Sequence, residues 1–308
     1  MSSAVPAAQP ARALRSPVTA NRPRRGGRPV RRTPLVLLTP LLLLVTLLFI
    51  WPVAQMMVQS FTDPVRGLDN YRRFFASDAM MHSVVTTLGL TLLGTALCAL
   101  IGYVYAYTVV HSRPSIARLL IVLTVVPAVM NLLVRAFSLE VLLQDTGLVN
   151  RLLQTVGLIG APITLIRTPF AIVFGMVTIA LPLMILPLYS SMRSINPELV
   201  VAAQSLGATP GVAFRKVFFP LSLNGLFSGS LIVFITGLGY YIVPQLLGNN
   251  ASDRFVSQHV AFYIADGQWG FGAAIGVVLL VITVAVLLVA SRLIRVGDAV
   301  RTSMGAGS

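Results

Sequence analysis

The side chains that could carry out chemistry are few and lie far apart in this chain of 308 residues. The single cysteine, Cys98, excludes an intrachain disulfide. The three histidines, His82, His111 and His259, lack the spacing of a zinc site. The only lysine, Lys216, is followed by valine, whereas a P-loop requires Ser or Thr there. We therefore expect a protein that is not an enzyme and that binds no metal, cofactor or ATP of its own.

One charged side chain and three aromatic ones lie near the ends of long apolar runs. Arg135 is the only clear ionisable candidate within the bilayer, where a proton-coupled transporter would need such groups. It either reaches back to the interface or lines a vestibule. Tyr240, Tyr241 and Trp269 form either an interfacial aromatic belt or a cation–π surface at a pore mouth. These four residues are the candidate translocation pathway.

The segment 192–220 carries the clearest signals for the starts and ends of helices. Asn196-Pro197-Glu198 predicts an N-cap, a first-turn proline and an acidic first turn of a short helix. Gly207 is typical of the residue that ends such a helix. Thr209-Pro210 predicts the start of a second helix, with Arg215 and Lys216 in its last turn and Pro220 after it. A small apolar face at 201–203 on an exposed helix indicates a partner's groove.

Long charge-free windows must position these residues. The chain is 56% hydrophobic, only 10% charged, and has a mean hydropathy of +0.84, which is typical of a polytopic membrane protein and not of a soluble enzyme. Each window is long enough for a helix of about 20 residues. We therefore predict an all-α protein with about six transmembrane helices, at about 35–58, 83–110, 117–138, 169–191, 221–243 and 270–291.

The charge balance predicts orientation. Lys and Arg number 23 against nine acids, a net +14, and eight of the arginines lie in residues 1–34. If the N-terminus is cytoplasmic, the inner segments carry the whole excess, as the positive-inside rule requires. We expect a disordered basic tail at 1–34, an uncleaved first helix, a transmembrane domain at 35–293 and a cytoplasmic C-terminal tail at 294–308. The tail arginines suit anionic lipid and not nucleic acid.

The loop 192–220 resembles a known family. Val201-Ala202-Ala203, then Gly207 and Val217-Phe218-Phe219-Pro220, is similar to the E-A-A-x3-G-x9-I-x-L-P loop of binding-protein-dependent ABC importer permeases. The two alanines, the glycine and the proline match at the family spacing. Val201 stands where the family usually has Glu, and Glu198, three residues earlier on the same helical face, is a hypothetical substitute. The resemblance implies that this loop docks on an ATPase subunit through Glu198, Val201, Ala202, Ala203, Gly207, Arg215, Lys216 and Pro220.

The resemblance covers nearly all of residues 60–293 and implies more than the loop. It implies the type I permease fold of ABC importers, an ATPase dimer that holds ATP and Mg²⁺, a second related permease and an external binding protein. It also implies a bacterial inner membrane. Segments Tyr241–Gly248 and Trp269–Ala274 resemble the B-type permease of spermidine/putrescine transporters, which implies a polyamine substrate.

Other substrates and other protein classes fit part of the pattern. Importers of opines, amino-acid derivatives and other cations share the subgroup segments. A self-sufficient secondary transporter or channel would show neither a stable ATPase partner nor ATP-dependent uptake. An intramembrane enzyme would need a set of polar catalytic groups that the sequence lacks.

Overall fold

The computed structural model describes residues 33–249 and 254–305, and the chain divides into a short unit that ends at Trp51 and a large unit that begins at Pro52. The predicted tail thus lies almost wholly outside the described residues. The first helices are α1 Thr33–Val45, α2 Trp51–Thr62, α3 Asp69–Ala76, α4 Asp78–His111, α5 Pro114–Val129, α6 Leu132–Leu143 and α7 Leu148–Thr155. The later ones are α8 Pro169–Arg193, α9 Pro197–Ser205, α10 Pro210–Ala213, α11 Phe219–Leu238, α12 Ile242–Leu247, α13 Val256–Ala265 and α14 Trp269–Gly305. Two π turns occupy Thr46–Ile50 and Phe214–Phe218.

The described ranges contain helices and no strand, which confirms the all-α prediction. Five helical segments are long and apolar enough to cross a membrane, and one pair of helices joined at a sharp bend is a sixth candidate. The five are Thr39–Thr62, Asp78–His111, Pro169–Arg193, Pro210–Leu238 and Trp269–Arg292.

The third predicted span, a single helix at 117–138, is wrong. Helix α5 ends at Val129, and the chain resumes after Met130 at an angle of 102°. The physical cause is local, because Met130 is extended and the Asn131 side chain accepts a hydrogen bond from Leu133 N (2.8 Å), starting a new helix. The 16 residues of α5 span about 24 Å. Arg135 therefore lies on the second helix, α6, and not at the end of α5.

The fifth span also differs from its prediction at both ends. It was expected to begin at 221, after a loop helix that stopped before Pro220. Instead α10 continues through the second π turn into α11. Proline has no backbone N–H, so the regular hydrogen-bond ladder cannot pass Pro220, and Phe219 N bonds the carbonyl of Phe214 in a wider turn. At the far end α11 stops at Leu238, before Tyr240.

Helix α8 lies at the centre of the large unit and packs against both α4 and α11. The α8–α11 contact is close because Gly225 and Gly229 face α8. A side-chain carbon added at Gly229 would lie 2.8 Å from the Met184 sulfur. Small residues at these two positions let the two helices approach closely. The second pair, Gly272 and Gly276, also faces neighbouring side chains closely.

Candidate functional site

The loop 192–220 folds as a short helix, a glycine turn and a second helix, as predicted. Asn196 accepts a hydrogen bond from Glu198 N at 3.0 Å and so caps α9. Gly207 has φ +88°, a left-handed conformation that favours glycine. The second helix does not end in this loop, so Arg215 and Lys216 lie within the π turn and not in a last turn. Both cations are exposed.

Helix α9 and the turn after it expose several apolar side chains. Val201 is 58% exposed and Leu206 is 89% exposed. Ala202 is also exposed, whereas Ala203 is half-buried. Exposed apolar side chains of this size on a connecting loop are typical of a surface that a partner covers.

The only acid of the loop, Glu198, lies at the start of α9 and not on its middle. The Asn196 side-chain amide donates to a Glu198 carboxylate oxygen at 3.3 Å, and the carboxylate is exposed. Val201 occupies the middle of the helix. The replacement of the family Glu by Glu198 therefore stays a prediction.

Arg135 is anchored to α8 just before Pro182. Its Nη2 atom donates to the carbonyl oxygens of Thr178 (2.9 Å) and Ile179 (3.1 Å). Pro182 lies four residues after Thr178 and has no N–H, so the Thr178 carbonyl lacks its usual helical donor. The guanidinium lines a cavity of about 390 Å³ between α4, α5, α6 and α8. It is therefore held against α8 beside this cavity, and its place in the translocation pathway stays a prediction.

The aromatic residues of the candidate pathway do not form one surface. Tyr240 is 7% exposed and packs in an apolar cluster with Leu139 of α6 and Val243 of α12. This burial corrects both expectations for Tyr240, because a belt and a cation–π mouth each need an accessible ring. Tyr241 and Trp269 are exposed, and Trp269 begins α14. The structure thus brings Tyr240 near the helix of Arg135 and leaves Trp269 outside that cluster.

Several polar residues join elements at the opposite end of the bundle through contacts that the sequence did not predict. Asp63 accepts a hydrogen bond from Gly270 N at 2.7 Å at the start of α14. The Arg73 guanidinium lies 4.1 Å from the centre of the Phe271 ring and donates to Gln268. Such partners are distant in sequence, so no local pattern indicates them.

His259 is the buried titratable group of that end. Its Nε2 lies 2.8 Å from the hydroxyl of Ser83 on α4, and its Nδ1 is buried without a hydrogen-bond partner. Burial, together with the positive charge of Arg254, lowers the pKa of His259 to about 4. The ring is therefore neutral at physiological pH. Among the described residues no three His, Cys, Asp or Glu side chains group as metal ligands.

Comparison with known proteins agrees with this architecture. Residues 100–296 match the family described as "Binding-protein-dependent transport system inner membrane component". The spermidine/putrescine transport system permease protein PotB of Escherichia coli K12 is 33% identical over 243 residues, covering 77% of this chain and 86% of that protein. The protein of the same name from Haemophilus influenzae is 32% identical over 226 residues, covering 73% and 78%.

Two solved structures share the fold. A bacterial ABC transporter involved in the import of the polysaccharide alginate matches with a TM-score of 0.70 at 18% identity, covering 86% of this chain and 96% of that one. The MetNI methionine ABC transporter in an inward-facing conformation matches with a TM-score of 0.54 at 20% identity, covering 72% and 99%. At these identities the likeness shows the fold alone.

Proposed function

Because the chain belongs to the family of binding-protein-dependent transport system inner membrane components, and is thus a permease subunit of an ABC importer, we propose that it carries polyamines such as spermidine or putrescine. The observation that carries this proposal is the identity of 33% over 243 residues to permeases named for those substrates. Importers of opines, amino-acid derivatives or other cations are the alternative, since they share the architecture. ATP hydrolysis belongs to a separate chain.

The loop 192–220 is the proposed docking site for that ATPase. The exposed apolar side chains of α9 and of the turn after it, Val201 and Leu206 among them, would enter a groove on the ATPase, with Arg215 and Lys216 beside it. Glu198, Ala202, Ala203 and Gly207 complete the docking surface, and Pro220 fixes the π turn behind it. In this proposal ATP and Mg²⁺ are held by the partner and not by this chain.

The remaining partners follow from the same family. The segments 59–82, 139–168 and 244–268, which the charge balance assigns to the outer side, would meet an external binding protein. A second, related permease would complete the pore in the inner membrane. Both termini would be cytoplasmic.

The experiment is reconstitution. The chain, co-expressed with the ATPase, second permease and binding protein encoded beside it, is purified and placed in liposomes. We expect the ATPase to co-purify and labelled putrescine or spermidine to accumulate only with ATP inside and binding protein outside. Vesicles loaded with ADP are the control. ATP-dependent uptake of another cation but no polyamine would contradict the substrate, and uptake without the ATPase would contradict the class.

A further inference from the structure

The end of α4 nearest the docking loop carries three rings on one face. Tyr103, Tyr107 and His111 follow each other at intervals of four residues, so they share one side of the helix. Tyr107 and His111 stack with ring centres 4.1 Å apart. The hydroxyl of Tyr103 lies 2.9 Å from that of Ser222 on α11. This face of α4 is therefore joined to α11 at the base of the bundle.

The π turn presents three more rings to the same face. Phe214 and Phe218 begin and end the turn, and Phe219 follows it. Its widened hydrogen bond, from Phe219 N to Phe214 O, fits the constraint of Pro220. A π turn inside a helix frequently marks a functional position. Here it joins the short helix α10 to α11.

Tyr107 is the centre of the resulting cluster. Its ring meets Phe214 and Phe218 edge to face, each with centres 5.4 Å apart. Around it, Phe218 lies 5.5 Å from His111 and Phe219 lies 5.6 Å from Tyr103. Edge-to-face pairs are favourable beyond their buried area. The rings therefore interlock α4 with the π turn at several points.

The docking helix itself rests on this cluster. Val200 of α9 is half-buried against the apolar group that includes Phe218 and Met192. From Tyr107 the path continues along α4, which packs on the central helix α8 over much of its length. A contiguous chain of packed side chains thus runs from α9 through Phe218 and Tyr107 to α8.

We propose that Tyr107, clasped by Phe214 and Phe218, is the positioning residue through which movement of the docked loop reaches α4 and α8. The inference rests on the proposed function, because it assumes that an ATPase moves α9. Rigid rings suit this role, since they transmit displacement without changing their own shape. Without the ring of Tyr107, the loop still docks and the ATPase still hydrolyses ATP, but α4 and α8 no longer move with the loop.

The test is the variant Tyr107→Leu in the complete, reconstituted transporter. We expect normal co-purification of the ATPase, retained ATP hydrolysis, and about a tenfold fall in substrate carried per ATP hydrolysed. Tyr107→Phe keeps the ring and should restore the wild-type ratio. Phe227→Leu is the matched control, because Phe227 lies on α11 but is 54% exposed and belongs to none of the ring pairs among the described residues.

Each other outcome overturns the proposal. A Tyr107→Leu complex with wild-type transport per ATP shows that the ring transmits nothing. Loss of the ATPase from that complex shows that the cluster only holds the docking surface. If Tyr107→Leu does not accumulate in the membrane, Phe214→Leu decides by the same measurements, since Phe214 is only half-buried. Absence of an ATPase from the wild-type preparation contradicts the proposed function instead, so the two failures are distinct.

Discussion

Arg135 places a positive charge among apolar helices, and carbonyl oxygens of α8 hold its guanidinium. Its guanidinium donates to the carbonyls of Thr178 and Ile179, and Pro182 leaves the Thr178 carbonyl without its regular helical donor. Removing a donor from a buried polar group costs about 1–3 kcal/mol. We therefore expect Arg135→Ala to lower both the thermal stability of the purified transporter and its uptake of a cationic substrate. Arg135→Lys keeps one donor group and should lose less.

The sign of the uptake change separates the two roles of Arg135. If this arginine lined the pore as a free positive charge, its removal would raise the uptake of a polycation, because a repulsive charge would be gone. Measuring initial uptake rates and melting temperatures on the same preparations distinguishes the cases. Faster uptake by Arg135→Ala with an unchanged melting temperature would contradict a stabilising role of the hydrogen bonds from Arg135 to α8.

His259 carries a pH dependence at the same scale. Its folded pKa of about 4 lies below its ordinary value of 6.5, so the unfolded chain binds the proton more tightly between those values. The neutral ring's contribution to stability is complete above pH 6.5 and falls as pH drops toward 4. The loss is on the order of 2–3 kcal/mol. Thermal unfolding of the purified transporter from pH 4 to 7.5 should show it.

Two variants identify the group responsible. His259→Gln removes the titrating ring, so the melting temperature should depend less on pH in this range. His82→Gln is the matched control, because His82 is exposed. An equal pH dependence in wild type and His259→Gln would assign the effect to another group.

At the scale of elements, the close contact of α8 and α11 depends on small residues. A side-chain carbon at Gly229 would lie 2.8 Å from the Met184 sulfur and 3.1 Å from its backbone oxygen. We expect Gly229→Leu to destabilise the transporter by about 1–3 kcal/mol, because the helices must separate. Gly89→Leu on α4 is the control, since Gly89 faces open space. Equal melting temperatures for the two variants would show that α8 and α11 can move apart without loss of stability.

The sequence predicts which segments are helical better than it predicts where those helices bend or end. Charge-free windows locate the spans, because an apolar run must find lipid or protein. They carry no information on direction, so a turn of 102° between two apolar helices escaped them. Asn131 was a readable N-cap signal inside the third window. Pro220 was read as the end of a helix, although in the structure it widens a turn within one.

The candidate site also has a part that the sequence predicts and a part that it does not. The docking loop was predictable, because caps and a left-handed glycine depend on neighbours along the chain, as at Asn196 and Gly207. The fate of Tyr240 was not, because its burial depends on α6 and α12, which other parts of the chain supply. The anchoring of Arg135 also needed tertiary structure, since its acceptors lie more than 40 residues away.

At the scale of the whole molecule, the net charge of +14 is an orientation signal. Under the predicted topology the outer segments sum to zero and the inner ones carry all the excess, half of their cations in residues 1–34. We expect cysteines introduced as Ser2→Cys and Ser308→Cys to react with a membrane-impermeant maleimide in inverted vesicles and not in intact spheroplasts. Gln154→Cys, which replaces an exposed residue of α7, should show the opposite pattern.

The native cysteine makes this experiment direct. Cys98 is fully buried between α4 and α8, so it should contribute little background even without a Cys98→Ser substitution. Removal of the eight tail arginines weakens the inner excess but leaves the later loops, so the Gln154→Cys pattern should persist in part and become mixed. Labelling of the Ser308→Cys variant from outside intact cells would reverse the orientation, and with it the side on which the loop 192–220 could meet an ATPase.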